Sequence, residues 1–170
     1  MYSFRTPQSL AATAAIVAAT GLTGPASAAD TPEPAQRQAI SQAQFENVLL
    51  RRTNLRRAAV GCRPFQAHAS LVRAARLHSV RMANRTQLSH RLRGEQTLAG
   101  RISGAGYRGW RILAENIART TTRSPDQVFD AWLRSPGHRR NIQNCELREI
   151  GIGVRYGAGQ VWATQDFGRR

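Results

Sequence analysis

Apolar positions along the chain follow two different periods. After Ser41, the residues Phe45, Val48 and Leu49, with Arg52 beyond them, recur at helical spacing, and Ser41 is a good cap. A helix is therefore predicted from Ser41 to about Ala59, ended by Gly61. Leu71, Ala75, His78 and Met82 share one face of a second helix, from about Ala69 to Asn84. The stretch from Gly94 to Gly109 is glycine-rich and reads as irregular. Ser124-Pro125-Asp126-Gln127 opens a third helix with a Ser cap, Pro at the first position and Gln at the capping-box position. Its buried face is Val128, Phe129, Trp132 and Leu133, and Ser135-Pro136-Gly137-His138-Arg139 reads as a sharp turn after it.

The period then changes. Ile150, Ile152, Val154 and Tyr156 alternate with Gly151, Gly153 and Arg155, and a second extended run, Val161 to Phe167, follows the turn-prone Gly157-Ala158-Gly159-Gln160. This is an antiparallel hairpin. Helices early, strands late and no strand–helix–strand alternation predict an α+β domain, with no internal repeat.

The first 28 residues have another logic. They hold one charge, Arg5, an apolar run from Leu10 to Leu22, and Ala26-Ser27-Ala28 after Gly24-Pro25. That is the layout of a secretory signal with cleavage after Ala28. The run is shorter than the roughly 20 residues that span a bilayer, so no transmembrane segment is expected. Residues 29–39 are polar and proline-bearing, a flexible leader, and one domain is expected over 40–170, as a monomer outside the cell.

Composition sharpens this picture. The chain has 170 residues and a formal net charge of +15, and all of its 25 cationic side chains are arginine. So basic a chain invites a nucleic-acid reading. Export argues against it, and no aromatic residues are interleaved with the arginines as base-stacking platforms. Anionic cell-wall polymers or acidic lipids are the expected polyanionic partners, unless the arginines serve only solubility. Cys62 and Cys145, an even pair in an exported chain, are a disulfide candidate.

The acid–base groups are few. His78 shares its helix face with apolar residues and reads as structural, and His68 as solvated. His90 lies just past the second helix, Glu115 stands in the apolar segment Ile112–Ile117, and His138 lies in the predicted turn. A carboxylate in an apolar segment requires a partner, and an imidazole is a natural one. Two histidines and a glutamate could hold a divalent metal such as zinc, or form a hydrogen-bonded network that orders a cleft. There is no Gly-x-Ser-x-Gly elbow for a serine nucleophile and no phosphate-binding Gly-x-x-x-x-Gly-Lys loop.

In order along the chain come Asn54-x-x-Arg57, Arg63-Pro64-Phe65, His78-Ser79-x-x-Met82-Ala83, Ser89-His90, Arg101 with Ala105-Gly106-Tyr107, Glu115-Asn116-Ile117-Ala118, Trp132-x-x-Ser135-Pro136-Gly137-His138-Arg139-x-Asn141-Ile142, Ile150-Gly151-Ile152-Gly153-Val154, and Trp162 with Phe167. This set closely resembles the bacterial branch of the CAP superfamily, the SCP domain of cysteine-rich secretory proteins, venom antigens and pathogenesis-related proteins. The resemblance implies a three-layer α–β–α sandwich with a central antiparallel sheet and an open cleft. Carried over by motif, His90 and Glu115 match cleft residues of the family, and His138 is a stand-in for its second histidine. Where eukaryotic members have Trp-x-x-Glu, this chain has Trp132-x-x-Ser135.

Three functions are compatible with these readings. The first is a non-catalytic binding module whose His90, Glu115 and His138 cleft takes a lipid or small molecule. The second is a metal-dependent hydrolase of peptide or cell wall, with Glu115 as the catalytic base and the histidines as metal ligands. The third is adhesion to anionic extracellular polymers or lipids through the arginines.

Overall fold

Local sequence signals open each long helix. In the computed structural model, which describes residues 39–170, α1 spans Gln42–Ala59 and starts in a full capping box between Ser41 and Gln44. The 1–28 segment and all but the last residue of the 29–39 leader lie outside the described residues. Helix α2 spans Ala69–Arg85 and α4 spans Pro125–Arg134, the latter capped by the Ser124 hydroxyl with Pro125 in its first turn. His68 is not the solvated residue expected from sequence. Its Nδ1 accepts from Ser70 N to cap α2, and its ring stands edge-on to Tyr107.

Two further helices replace predicted irregular segments. Within the glycine-rich stretch, Thr97 caps the short α3, Leu98–Gly104. The turn expected at 135–139 is instead the start of α5, Pro136–Gln143. Proline has no backbone N–H to lose at a helix start and its φ is already set for it, so Ser135 ends α4 and α5 begins at once.

The sheet has the order β1-β3-β4-β2, with β1 Gln66–Ala67, β2 Ile112–Thr120, β3 Glu149–Gly157 and β4 Gln160–Arg169. The three long strands are antiparallel; the two-residue β1 adds a parallel edge to β3, which the sequence pattern did not announce. The hairpin turn is tighter than the predicted four residues. Gly157 pairs with Gln160, leaving only Ala158 and Gly159, both at positive φ.

Alternation along the strands divides the core into two. Ile150, Ile152, Val154, Val161, Ala163 and Phe167 pack with Phe45, Leu49, Val128, Phe129, Trp132 and Ile142 under α1, α4 and α5. The opposite face receives α2 and α3, and there the smaller clusters form around Trp162 with Met82, and around Leu71 with Ile102 and Tyr107. The result is the expected α–β–α sandwich.

Helix α2 lies against β3 with no room for side chains between them. A Cβ on Gly151 would stand 2.0 Å from the Leu71 carbonyl carbon, and one on Gly153 would stand 2.2 Å from Arg76 N. Ser79 Oγ, on the same helix, donates to Gly153 O at 2.9 Å and meets Thr164 Oγ1 at 2.8 Å. On the other side, Cys62 and Cys145 form the expected disulfide, joining the end of α1 to the segment after α5 across 83 residues of chain. Closing a loop of that length removes on the order of 4–5 kcal/mol of freedom from the unfolded state.

Candidate functional site at the edge of the sheet

Strand β2 is an outer strand of the sheet, and its Glu115-Asn116 pair points to opposite layers. Glu115 faces α2 and α3, and its side chain is 3% exposed. One of its oxygens accepts from His90 Nδ1 at 2.8 Å, and the other is bound by the Arg101 guanidinium from α3. Arg101 also donates to His90 O at 2.9 Å, so this arginine fixes both the carboxylate and the main chain of the histidine it orients. A carboxylate held by a guanidinium accepts rather than donates, so His90 Nδ1 is the donor and Nε2 is left for solvent or ligand. The His90 side chain is 60% exposed.

Asn116 works on the other face. It is fully buried, and its amide donates to His138 O at 3.1 Å and to Gln165 Oε1 at 3.0 Å. Asn141 of α5 donates in return to Glu115 O and to Asn116 Oδ1. The two histidines therefore flank one strand edge, one tethered through each residue of the Glu-Asn pair. Their ring centroids are 6.5 Å apart. Burial, and secondarily the neighbouring His90, holds the His138 ring below the ordinary imidazole range, which keeps the pair from carrying two charges near neutral pH.

The site is backed by a buried polar layer. His78, read from sequence as structural, is fully buried and faces two acceptors: Glu95 Oε1 at 2.9 Å and Ser89 O at 3.0 Å. Burial pushes the Glu95 carboxyl up, but hydrogen bonds from His78, Leu92 N and Arg81 outweigh it and hold Glu95 below the usual carboxylate range. The loop that carries His90 is thus anchored at Ser89, Leu92 and Glu95. It leaves α2 through Thr86, which adopts φ 51°.

Asp166 was not singled out from sequence. It sits opposite Glu115 in the β2–β4 register, is fully buried, and neither of its oxygens has a hydrogen-bond donor among the described residues. Burial pushes its carboxyl well above the usual range, and the adjacent Glu115 carboxylate pushes it further. Because the folded chain keeps a proton that the unfolded chain releases near pH 3.8, raising the pH from there disfavours folding until the folded-state value is passed. Asp166→Asn, which carries no such proton, is expected to match or exceed the parent in stability at neutral pH. Its advantage should grow upward from about pH 4, by at most ~1.4 kcal/mol per pH unit. Urea unfolding at a series of pH values checks this, and a constant difference would refute it.

Among the described residues, no three His, Cys, Asp or Glu side chains are arranged to hold a metal ion. His90 and His138 bring two imidazoles, and Glu115 is engaged on both oxygens. These donors fall short of a zinc site.

Residues 50–167 match the family described as "CAP: Cysteine-rich secretory protein family". The chain belongs to the CAP family. It is 29% identical over 129 residues to "Uncharacterized protein YkwD" of Bacillus subtilis, covering 76% of this chain and 49% of that protein. The CAP chain thus spans about half the length of that relative. Among solved structures, it superposes on an outer surface protein of Borrelia burgdorferi with a TM-score of 0.70 at 19% identity, over 77% of this chain and 96% of that one. An extracellular protein containing an SCP domain from Bacillus anthracis gives a TM-score of 0.67 at 26% identity, over 76% of this chain and 43% of the other. No helix among the described residues is long and apolar enough to cross a membrane.

Within this CAP domain, the structure brings together the three residues selected from sequence, His90, Glu115 and His138. The residues that hold them, Arg101, Asn116 and Asn141, were missed as site residues, and so was Asp166 beside Glu115. A signal existed for Asp166, a carboxylate next to last in the extended run Val161–Phe167.

Proposed function

We propose that this CAP protein is exported and acts outside the cell as a binding module, its ligand seated at the β2 edge against His90 and His138. The observation that carries this reading is the engagement of Glu115: both oxygens are bound, one by His90 and one by Arg101, so the carboxylate orients a donor and is not free as a base. The exposed His90 Nε2 and the His138 ring then supply polar contacts on an ordered edge, suited to a small molecule or lipid headgroup bearing hydrogen-bonding groups. Export is supported by the 1–28 segment and by the extracellular description of the Bacillus anthracis relative.

One observation favours a hydrolytic second reading. A buried carboxylate on Nδ1 with Nε2 left open is also how a histidine base is oriented, so the base in that case is His90 and not Glu115. Incubation of the purified protein with peptide libraries and isolated cell wall, with and without chelator, separates the two. No turnover is expected; turnover lost in His90→Ala would overturn the binding reading. Calorimetric titration with zinc is expected to show no heat that depends on His90, and a His90-dependent heat would restore a metal. N-terminal sequencing of the exported product is expected to begin at Ala29.

A further inference from the structure

The opposite edge of the sheet holds a concave site. A cleft of about 560 Å3 opens beside β1, lined by Arg63, Pro64, Gln66, Arg148, Glu149 and Arg170. Its volume is in the range of small-molecule sites. It lies at the β1–β3 side, whereas His90 and Glu115 sit at β2, so the two sites are separate.

The charge of this cleft is unbalanced. Glu149 is the only acidic side chain among its lining residues, and it is already paired with Arg170 at 2.7 Å and hydrogen-bonded by Tyr107. Among the described residues, neither Arg63 nor Arg148 has a carboxylate within ion-pair distance. Beneath them lies Arg57, fully buried under the Phe65 ring at 3.6 Å. Its guanidinium is satisfied by main-chain oxygens alone, those of Arg63, Ile142, Asn144 and Leu147. Carbonyls solvate a charge without cancelling it, so a full positive charge in a dry setting stands behind the cleft. Burial, with the Arg148 charge adding to it, lowers Arg57 to about 10, still well above neutral.

The main chain that carries the two arginines is held in place before any ligand arrives. Arg63 follows the disulfide-bonded Cys62, its carbonyl is gripped by Arg57 at 2.7 Å, and Asn54 brackets Phe65 with two hydrogen bonds. Arg148 donates its N–H to Gly168 O, and its carbonyl accepts from Gln66 N. A cleft with rigid backbone, two unpaired guanidinium forks and a buried charge behind them suits an anion with several oxygens. A tetrahedral dianion can serve two forks at once, whereas a planar monocarboxylate serves one.

We propose that the Arg63–Arg148 cleft is a binding site for a phosphate-bearing anion, independent of the His90 edge. The ligand is a phosphate group, whether free, on a soluble polymer or on a lipid headgroup.

The test is calorimetric titration of the protein with inorganic pyrophosphate at low salt. Binding is expected for the parent, about tenfold or more weaker in Arg63→Gln/Arg148→Gln, and changed less than about twofold in Arg93→Gln/Arg155→Gln, which removes the same charge from exposed sites elsewhere. His90→Ala should leave it unchanged, which separates failure of this proposal from failure of the β2-edge reading. Thermal melts of both double variants verify that they fold; all four arginines are exposed. Equal losses in the two double variants would mean a diffuse charge effect, and no binding by the parent would mean no site; either overturns the proposal. Sedimentation with phosphatidylglycerol vesicles, with and without pyrophosphate as competitor, assigns the source. Competed vesicle binding identifies a lipid headgroup, and absence of vesicle binding alongside pyrophosphate binding identifies a soluble phosphate.

Discussion

Glu115→Ala is expected to cost about 3–5 kcal/mol of folding stability, because it strips the carboxylate from an Arg101 guanidinium whose side chain is 2% exposed. The arginine keeps main-chain acceptors at His90 and Gln96, and the Glu95 carboxylate remains 3.8 Å away, but its close counter-charge is gone. Asp166 decides how much of the loss is recovered. With Glu115 removed, the like charge that helps keep Asp166 protonated disappears, and Asp166 can ionise toward Arg101. The effect of Asp166→Asn should therefore reverse sign: neutral to stabilising alone at pH 7, destabilising in the Glu115→Ala background. A double-mutant cycle by urea unfolding measures this coupling, and additivity would show that Asp166 and Glu115 do not share the arginine. The same Glu115→Ala change should release His90, seen as line narrowing of its ring protons by NMR.

Gly153→Ala should be comparably severe, for a different reason. The added methyl carbon would stand 2.2 Å from Arg76 N and 2.3 Å from the Ala75 carbonyl carbon, which are helix main chain and not a flexible side-chain end. Relief requires α2 to rise off the sheet, parting Ser79 from Gly153 O and Thr164 and disturbing His78 behind the site. Overpacking of this kind costs about 3 kcal/mol or more, which for a domain of this size lowers Tm by on the order of 10 °C. Gly137→Ala is the control: its Cβ would meet nothing nearer than 3.9 Å in α5, and neutral or slightly raised stability is expected. Similar Tm losses for both would remove the close-approach explanation.

These two residues show what was legible along the chain and what was not. The alternation Ile150-Gly151-Ile152-Gly153-Val154 identified a strand and which residues face the large core. It did not say why the other face is glycine; that requires knowing which helix lies on it and how near. In the same way, an apolar segment interrupted by Glu115 signalled a carboxylate in need of a partner, an imidazole being the natural one, and the structure sets His90 there. Arg101, the stronger partner, sits in a seven-residue helix inside a glycine-rich stretch too short to show a period.

The sequence by itself determined the elements with strong local causes: α1 and α4 through caps and helical spacing, α2 through helical spacing alone, the β3–β4 hairpin through alternation, and the family through motifs in fixed order. It also determined the candidates, because titratable groups in apolar surroundings are rare enough to stand out. Only the tertiary structure decided how those groups are used. It set Asp166 against Glu115 by strand register, made α5 from an expected turn, and placed a buried Arg57 behind two unpaired arginines at the far edge of the sheet. Local preferences depend on neighbours in the chain, whereas charge pairing, burial and close approach depend on neighbours in space.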